Sequence, residues 1–405
     1  MSKLITNTIR HTGASSDSLT FNSDGHATVE NNLTVDGTST LTGNVTVAGS
    51  LTASNYAGRN LISNGEFLIA QRSTAAVTTS AGSNEGYQTV DRWRFYVVGT
   101  AAFTQQQVEL TTDAAPDGFS RALKIDCTTA DASVAAGDYV NLQQNIEGFT
   151  WAHLNYGRSD AKTVTISFWV KATKTGTYTF GLRNEAANRS YIAEYTVSST
   201  NTWEKKTITI AGDTSGTWLT TNGIGARLGW SLIIGSTDSA TAGSWNAGNK
   251  FGSTNQVNGM DNTDNNFLIT GVQLEVGPAT EFEHRLYADE LLRCQRYFET
   301  SYNPGVTVGS SSNVGGYYEC HSSDNGSNVV FSPTYRVTKR AVPTDKFWKD
   351  DGTANQWTYS RESGGAGAGV TSFRSSQTHL NGYVDCGASW VPCALHGHWS
   401  SEAEL

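Results

Sequence analysis

Charge is scarce in this chain. Asp, Glu, Lys and Arg make up 16% of its 405 residues, where soluble domains usually carry about a quarter. The formal net charge is −9, which excludes the usual nucleic-acid partner, because neutralising phosphates takes a surplus of Lys and Arg. No apolar run reaches the roughly 20 residues that a membrane-spanning helix needs, so we expect no membrane insertion. The opening MSKLITNTIRHTG has no apolar core of the signal-peptide kind, so the chain is expected to stay where it is made or to leave within a larger assembly. Cysteine is sparse: Cys127, Cys294, Cys320, Cys386 and Cys393 are odd in number, widely spaced and form no CxxC. We expect reduced, buried thiols and no disulfide framework.

Catalytic signatures are also lacking. There is no nucleophile elbow, P-loop or dinucleotide fingerprint, and the glycine-rich 363–370 lacks the Lys and helix of a phosphate cradle. Glycan hydrolysis needs two facing carboxyls about 5–10 Å apart. The candidates Asp91, Asp126, Asp138, Glu185, Glu194, Asp345, Asp350 and Asp351 fall in no common motif. The long β-helical repeat of a depolymerase is absent. We expect no enzymatic activity and no cofactor.

What is abundant is Gly, Ser, Thr and Asn, together with 11 Trp, 16 Tyr and 15 Phe. With β-branched residues and few helix formers, this composition points to an all-β protein. In 33–52, LTVDGTSTLTGNVTVAGSLT, the apolar residues Leu33, Val35, Leu41, Val45, Val47 and Leu51 are separated by small polar ones, and LTVDGT returns as VTVAGS twelve residues later. LTFNSDG at 19–25 is a weaker copy. Each copy reads as a short alternating strand and a turn. Such a strand has one thin apolar face with no cover in its own chain, so it needs stacked neighbours or other chains. Three parallel copies closing a fibrous shaft satisfy this; a flexible Thr/Gly linker is the alternative. We assign 1–57 to an N-terminal attachment segment and repeat shaft.

A β-rich block follows over 58–285. AKTVTISFWVKAT (161–173) sets Val164, Ile166, Phe168 and Val170 against Thr165, Ser167 and Trp169. GTYTFGLRN (176–184), RSYIAEYTV (189–197), WEKKTITIAG (203–212) and NNFLITGVQLEVG (265–277) obey the same rule. Strands spaced this way with Gly/Asn/Ser/Thr turns predict an antiparallel sandwich. HRLYADELLRCQRYFE (284–299) predicts a helix with Leu286, Leu291, Leu292, Cys294, Tyr297 and Phe298 on its buried stripe, which makes 286–300 a helical junction. The remainder, 301–405, reads as a β-rich tip: strand, turn and strand over 329–348, a flexible loop at 363–370, and an apolar, aromatic last segment.

The order NLISNGEF, FWVKA, TITIAGDTSGTW, FLITGVQLEVGPATEFEHR, ELLRCQRYFE and a final SEAEL resembles tail-fibre and receptor-binding proteins of tailed bacteriophages, from about 58 to 300 and again at the C-terminal end. SKLITNTIRHTG and LTVDGTSTL resemble the N-terminal part of such fibres. The central block is similar to jelly-roll carbohydrate-binding modules. The resemblance implies a homotrimer located in the virion tail and assembled in the host cytoplasm, attached to other virion proteins by its N-terminus, with a C-terminal tip that recognises a host-surface glycan or protein. A purely structural decoration or tail adaptor, and a glycan-cleaving tail spike, are the alternatives.

Sugar binding asks for an aromatic platform with nearby amides or carboxylates. Trp218, Trp230 and Trp245 lie in polar stretches, with Asn246 and the loop 244–266 beside them; Trp348 and Trp357 form a second set with Tyr317, Tyr318 and Tyr359. Packing within the sandwich or against another subunit is the competing reading for each. Trp93 and Trp169 are assigned to the core. His396 and His398 fall on one side of a strand, and three chains would offer six nitrogens to a transition metal; ordinary packing beside Cys393 and Trp399 is the alternative, and no metal is assigned. The resemblance also places Glu66 and Glu275 where such modules carry calcium, without a carboxylate-rich cage around them.

Overall fold

A computed structural model describes residues 8–9, 19–21, 27–29, 58–111, 115–322, 328–361, 364–372, 374–387 and 392–405. It divides into two compact units, 1–53 and 54–405. In the first, β1 (Thr8–Ile9), β2 (Leu19–Phe21) and β3 (Ala27–Val29) form an antiparallel meander. The proposed shaft residues Leu33, Val35, Leu41, Val45, Val47 and Leu51 lie outside the described residues.

The second unit is all-β with short helices, and its core is an antiparallel sandwich of the jelly-roll type. Its strands are β4 (Val77–Ser80), β5 (Arg94–Val98), β6 (Ala102–Glu109), β7 (Arg121–Thr129), β8 (Tyr139–Glu147), β9 (Val164–Ala172), β10 (Gly176–Arg183), β11 (Arg189–Val197), β12 (Glu204–Ile210), β13 (Ile224–Ile234), β14 (Trp245–Ala247) and β15 (Asn266–Val276), with the one-turn helix α1 (Gly148–Trp151) after β8. The front sheet runs β14-β11-β10-β13-β8-β5 and the back sheet β12-β9-β15-β7-β6-β4. The alternation predicted for 161–173 is realised: Val164, Ile166, Phe168 and Val170 have no exposed surface and face the front-sheet residues Phe180, Leu228 and Trp230 across the core. Large apolar side chains removed from water on both inner faces supply the main driving force.

Two asparagines of NLISNGEF close the entry to the sandwich. Asn60 Oδ1 accepts from the Ile62 and Leu274 amides. Asn64, at φ +57°, donates to the Ile69 and Asp91 carbonyls and accepts from the Ile69 amide. A short amide side chain can do this because it tolerates the left-handed conformation and mimics a backbone turn. Trp93 is buried as expected, stacked 4.7 Å from Phe67 with its indole N–H on Asn64 O. Trp169 is not core: it sits on the polar side of the alternation, partly exposed on the outer face of the back sheet.

The predicted helix is shorter and rotated. It spans α2 (Tyr287–Gln295), and Tyr297 and Phe298 follow it, Phe298 within β16 (Phe298–Thr300). Leu286 is 75% exposed and Leu292 42%, while Glu290, Cys294 and Gln295 face inward. A buried ion pair sets this face: Glu290 accepts from Arg285 at 3.1 Å and from the Asn64 amide at 2.5 Å.

The remaining strands are β17 (Tyr317–Ser322), β18 (Asn328–Phe331), β19 (Thr344–Trp348), β20 (Gln356–Arg361), β21 (Gly364–Ser372), β22 (Gly382–Asp385) and β23 (Pro392–Glu402). β23 is the spine, pairing with β16, β17, β19 and β20, and β20 continues through β21 and β22 to β18. One expectation fails here: the glycine-rich 363–370 contributes a strand, not a loop, held between β20 and β22. The two strands expected over 329–348 are present as β18 and β19, which pair with β22 and β23. The cysteine expectation is corrected too, since Cys386 and Cys393 form a disulfide while Cys127 and Cys294 are free and buried. Their side chains meet because they end neighbouring segments of one apolar cluster, which the sequence separation does not reveal.

Candidate functional site

Of the tryptophans singled out in the sequence, two have no ring to offer. Trp230 is fully buried between Trp93, Phe168 and Phe180. Trp357 is fully buried, stacked 4.1 Å from Phe331 with its N–H on His398 O. Both are corrected from ligand residues to core: each occupies an inward position in a strand whose neighbours are aromatic. Trp218 is nearly buried, its N–H 3.3 Å from Asp213, which also takes a bidentate pair from Arg189. Trp245 lies at the edge of the front sheet. It turns inward against Tyr156, Tyr191 and Trp218, and donates to Ala211 O. Asn246 bonds the carbonyls of its own loop, Thr241 and Ser244. The loop 244–266 lies back over the sheet, with the Phe251 backbone against Gly181.

His398 is buried, stacked 3.8 Å from Tyr302, with Nδ1 3.2 Å from Ser301 Oγ and Nε2 2.9 Å from Ser312 O. Both nitrogens are thus engaged in packing. His396 Nδ1 lies 2.6 Å from Asp350. Glu275 is buried and bonds Gln273 and Thr280, while Glu66 meets His284. No cluster of three metal-ligating side chains occurs among the described residues.

The structure brings together a different set. On the outer face of the front sheet, antiparallel register places Asn145, Arg227, Arg183 and Ser190 in one row across four strands. The next row is Arg94, Gln143, Gly229 and Gly181, and the one beyond is Tyr96, Asn141, Ser231, Thr179 and Glu194. Adjacent strands lie about 4.8 Å apart, so the rows form a grid of amides, arginines and hydroxyls. The glycines sink a trough between the first row and the third. Phe251 fills its Gly181 end, leaving a crevice of about 10 Å³, too small for a sugar. At the other end Arg94, Tyr96 and Arg227 are each partly exposed, while Gln143 and Asn145 between them are buried.

Several donors and acceptors on this face are under-used. Asn141 Oδ1, Gln143 Oε1 and Arg94 Nε are buried with no hydrogen-bond partner among the described residues. Buried polar atoms normally find partners. Arg94 lies 4.1 Å from the Tyr96 ring centre and 5.2 Å from that of Tyr87, a cation–π contact with both rings. Leu405 O accepts from Asn145 Nδ2 at 2.8 Å, Tyr87 at 3.0 Å and Arg94 at 3.1 Å. Arg227 pairs with Glu185 at 2.6 Å. Arg183 bonds Asn249 and packs over Phe251; burial, then the like charge of Arg227, pushes its guanidinium down to about 10. Arg94 and Tyr87 also line a recess of about 590 Å³ that includes Glu85, Lys346, Trp348 and Glu402, so Trp348, among the tryptophans named from sequence, faces space near these groups.

The face escaped sequence reading because its members are spread from Tyr87 to Leu405 and join only through strand pairing. The one available signal was polar residues at alternate positions of YVNLQQNIE, at Asn141, Gln143 and Asn145. No protein-family model and no curated protein matches the chain. Among solved structures, it is similar to the enzymatically active domain of tailspike protein 4 of bacteriophage CBA120, at 14% identity and TM-score 0.28 over 54% of this chain and 22% of that one. It is also similar to the carbohydrate-binding module TmCBM61 in complex with beta-1,4-galactotriose, at 11% identity and TM-score 0.28 over 54% of this chain and 100% of that one. The family 11 carbohydrate-binding module of a cellulosomal cellulase of Clostridium thermocellum matches at 11% identity and TM-score 0.27, over 49% of this chain and 95% of that one.

Proposed function

We propose that this chain is a non-catalytic glycan-recognition protein of a phage tail fibre, homotrimeric and joined to the virion by its N-terminal part. The observation that carries the glycan reading is the outer face of the front sheet. Rows of amides and arginines sit beside the Arg94–Tyr96–Tyr87 stack, with buried acceptors unpartnered. A ring supports the C–H face of a sugar while amides and guanidinium groups bond its hydroxyls. The tail-fibre part is supported by the N-terminal and central motifs of the sequence and by the coverless repeat at 33–52.

The test is a glycan array probed with the full chain and with Tyr96→Ala. Binding that falls about tenfold or more in the variant, with an unchanged melting temperature, supports the face. Equal binding by both proteins refutes it. The length of a bound polysaccharide should stay constant on incubation; shortening would favour the tail-spike alternative. A structural adaptor role is the second reading, favoured by the exposed Leu286, Tyr287 and Leu292 near an 820 Å³ groove that Tyr287, Leu291 and Leu292 help to line.

A further inference from the structure

We propose that the recess bounded by β5, β19 and β23 binds a neutral di- or trisaccharide, with Trp348 as its ring platform. This adds a second sugar site to the front-sheet one: the two share Arg94 and Tyr87, but Tyr96 does not line the recess.

Alternation in β19 builds one wall. Phe347 is buried in the C-terminal apolar cluster, and on the same side of the strand Asp345 accepts from Tyr335 and Ser401. Lys346 and Trp348 therefore face the other way, into the recess. Register with β23 sets Lys346 against Ser400 and Thr344 against Glu402. Ring, ammonium and carboxylate thus follow one another on one face at steps of about 7 Å. The recess holds about 590 Å³, within the roughly 300–1,000 Å³ of small-ligand sites.

Trp348 is fixed before any ligand arrives. Tyr302 meets it edge-on at 6.1 Å. Gly309, at φ +84°, brings the backbone so close that a Cβ there would lie 2.9 Å from the indole nitrogen. The ring is still partly exposed, so it can support the C–H face of a sugar.

Charge decides the ligand class. Three cationic side chains, Arg72, Arg94 and Lys346, and three carboxylates, Glu85, Glu402 and Glu404, line the recess. Arg72 is held by Glu404 at 3.2 Å and lies 3.8 Å from Glu402. Lys346 is exposed and has no ion-pair partner among the described residues. A ligand of either sign would meet its own charge as well as the opposite one. Sugar hydroxyls avoid that cost, because each can donate to a carboxylate such as Glu402 or accept from the Lys346 ammonium.

The experiment is calorimetry of the full chain with neutral di- and trisaccharides of glucose, galactose and mannose, each beside a counterpart carrying one uronic acid and one carrying one amino sugar. A neutral ligand is expected to bind. Trp348→Ala should weaken it about tenfold or more, Lys346→Gln severalfold, and Tyr96→Ala should leave it unchanged. Lys346 is exposed, so its substitution tests the site even where Trp348→Ala lowers the melting temperature. Tighter binding of either charged counterpart overturns the neutral assignment. Binding that survives both recess substitutions, or that falls as much in Tyr96→Ala as in Trp348→Ala, overturns the second site and favours the front-sheet face. No binding by any sugar of the panel overturns the recess site, and the glycan array with Tyr96→Ala then decides the front-sheet reading separately.

Discussion

At the residue scale, burial decides which tryptophan can touch a ligand. Trp230 fills the middle of the sandwich, so Trp230→Ala should cost about 3–5 kcal/mol of stability, seen as a lowered denaturant midpoint. Trp245 turns its ring toward Tyr156 and Trp218, so Trp245→Ala should also destabilise, while sugar affinity per folded molecule stays constant. A selective loss of affinity would return Trp245 to the binding surface. Asp91 gives a pH signature. It is fully buried, and burial raises its carboxyl to about 6 despite the opposing Arg72, against about 3.9 in an unfolded chain. The folded state then holds the proton more tightly than the unfolded one. Its stability contribution is present near pH 4 and is lost as pH rises through 6, amounting to about 3 kcal/mol at most. Relative to Asp91→Asn, the wild type should lose stability between pH 4 and 7; parallel urea-midpoint profiles would contradict this.

At the element scale, what was legible followed from local periodicity. The strands β9, β10, β11, β12 and β15 lie within the segments read from alternation, because a two-residue period is written in neighbouring residues. The helix existed but its face was misread, since a buried Glu290–Arg285 pair replaced the leucine stripe. The strand β21 was hidden because glycine weakens intrinsic strand preference, and only its two partners hold it extended. The candidate site was illegible for a related reason: Arg94, Asn145, Arg227 and Arg183 become neighbours only when register is set. Glycine has a positive role in β23, where a Cβ on Gly397 would collide with the Trp357 indole. Gly397→Ala should cost about 1–3 kcal/mol through overpacking, measurable as a lower unfolding midpoint. An unchanged midpoint would mean that Trp357 has room to shift.

At the scale of the whole molecule, buried charge ties distant parts of 54–405 into one unit. Glu404 is clasped by Arg72 and Arg92, Glu147 by Arg296 and Tyr297, and Glu299 by Lys339. Removing one member leaves the others buried and unpaired, which typically costs about 3–5 kcal/mol. Glu404→Ala should therefore lower the thermal midpoint of the whole unit in a single transition; a separate early transition would show that the parts melt independently. Sedimentation of the full chain should give a trimer, since the 33–52 repeat has no cover in its own sequence; a species near 43.5 kDa at micromolar concentration would refute that.

The spine position of β23 has a consequence for synthesis. Strands β16, β17, β19 and β20 lie between residues 298 and 361, yet each needs 392–402 as a hydrogen-bonding partner. On a ribosome adding roughly 5–20 residues per second, these strands wait several seconds with open edges. Unpaired edges invite pairing with other chains. Nascent copies of this protein translated side by side on one message would thus meet while their last sheet is still unfinished, and the arrival of β23 decides whether each strand pairs at home or with a neighbour.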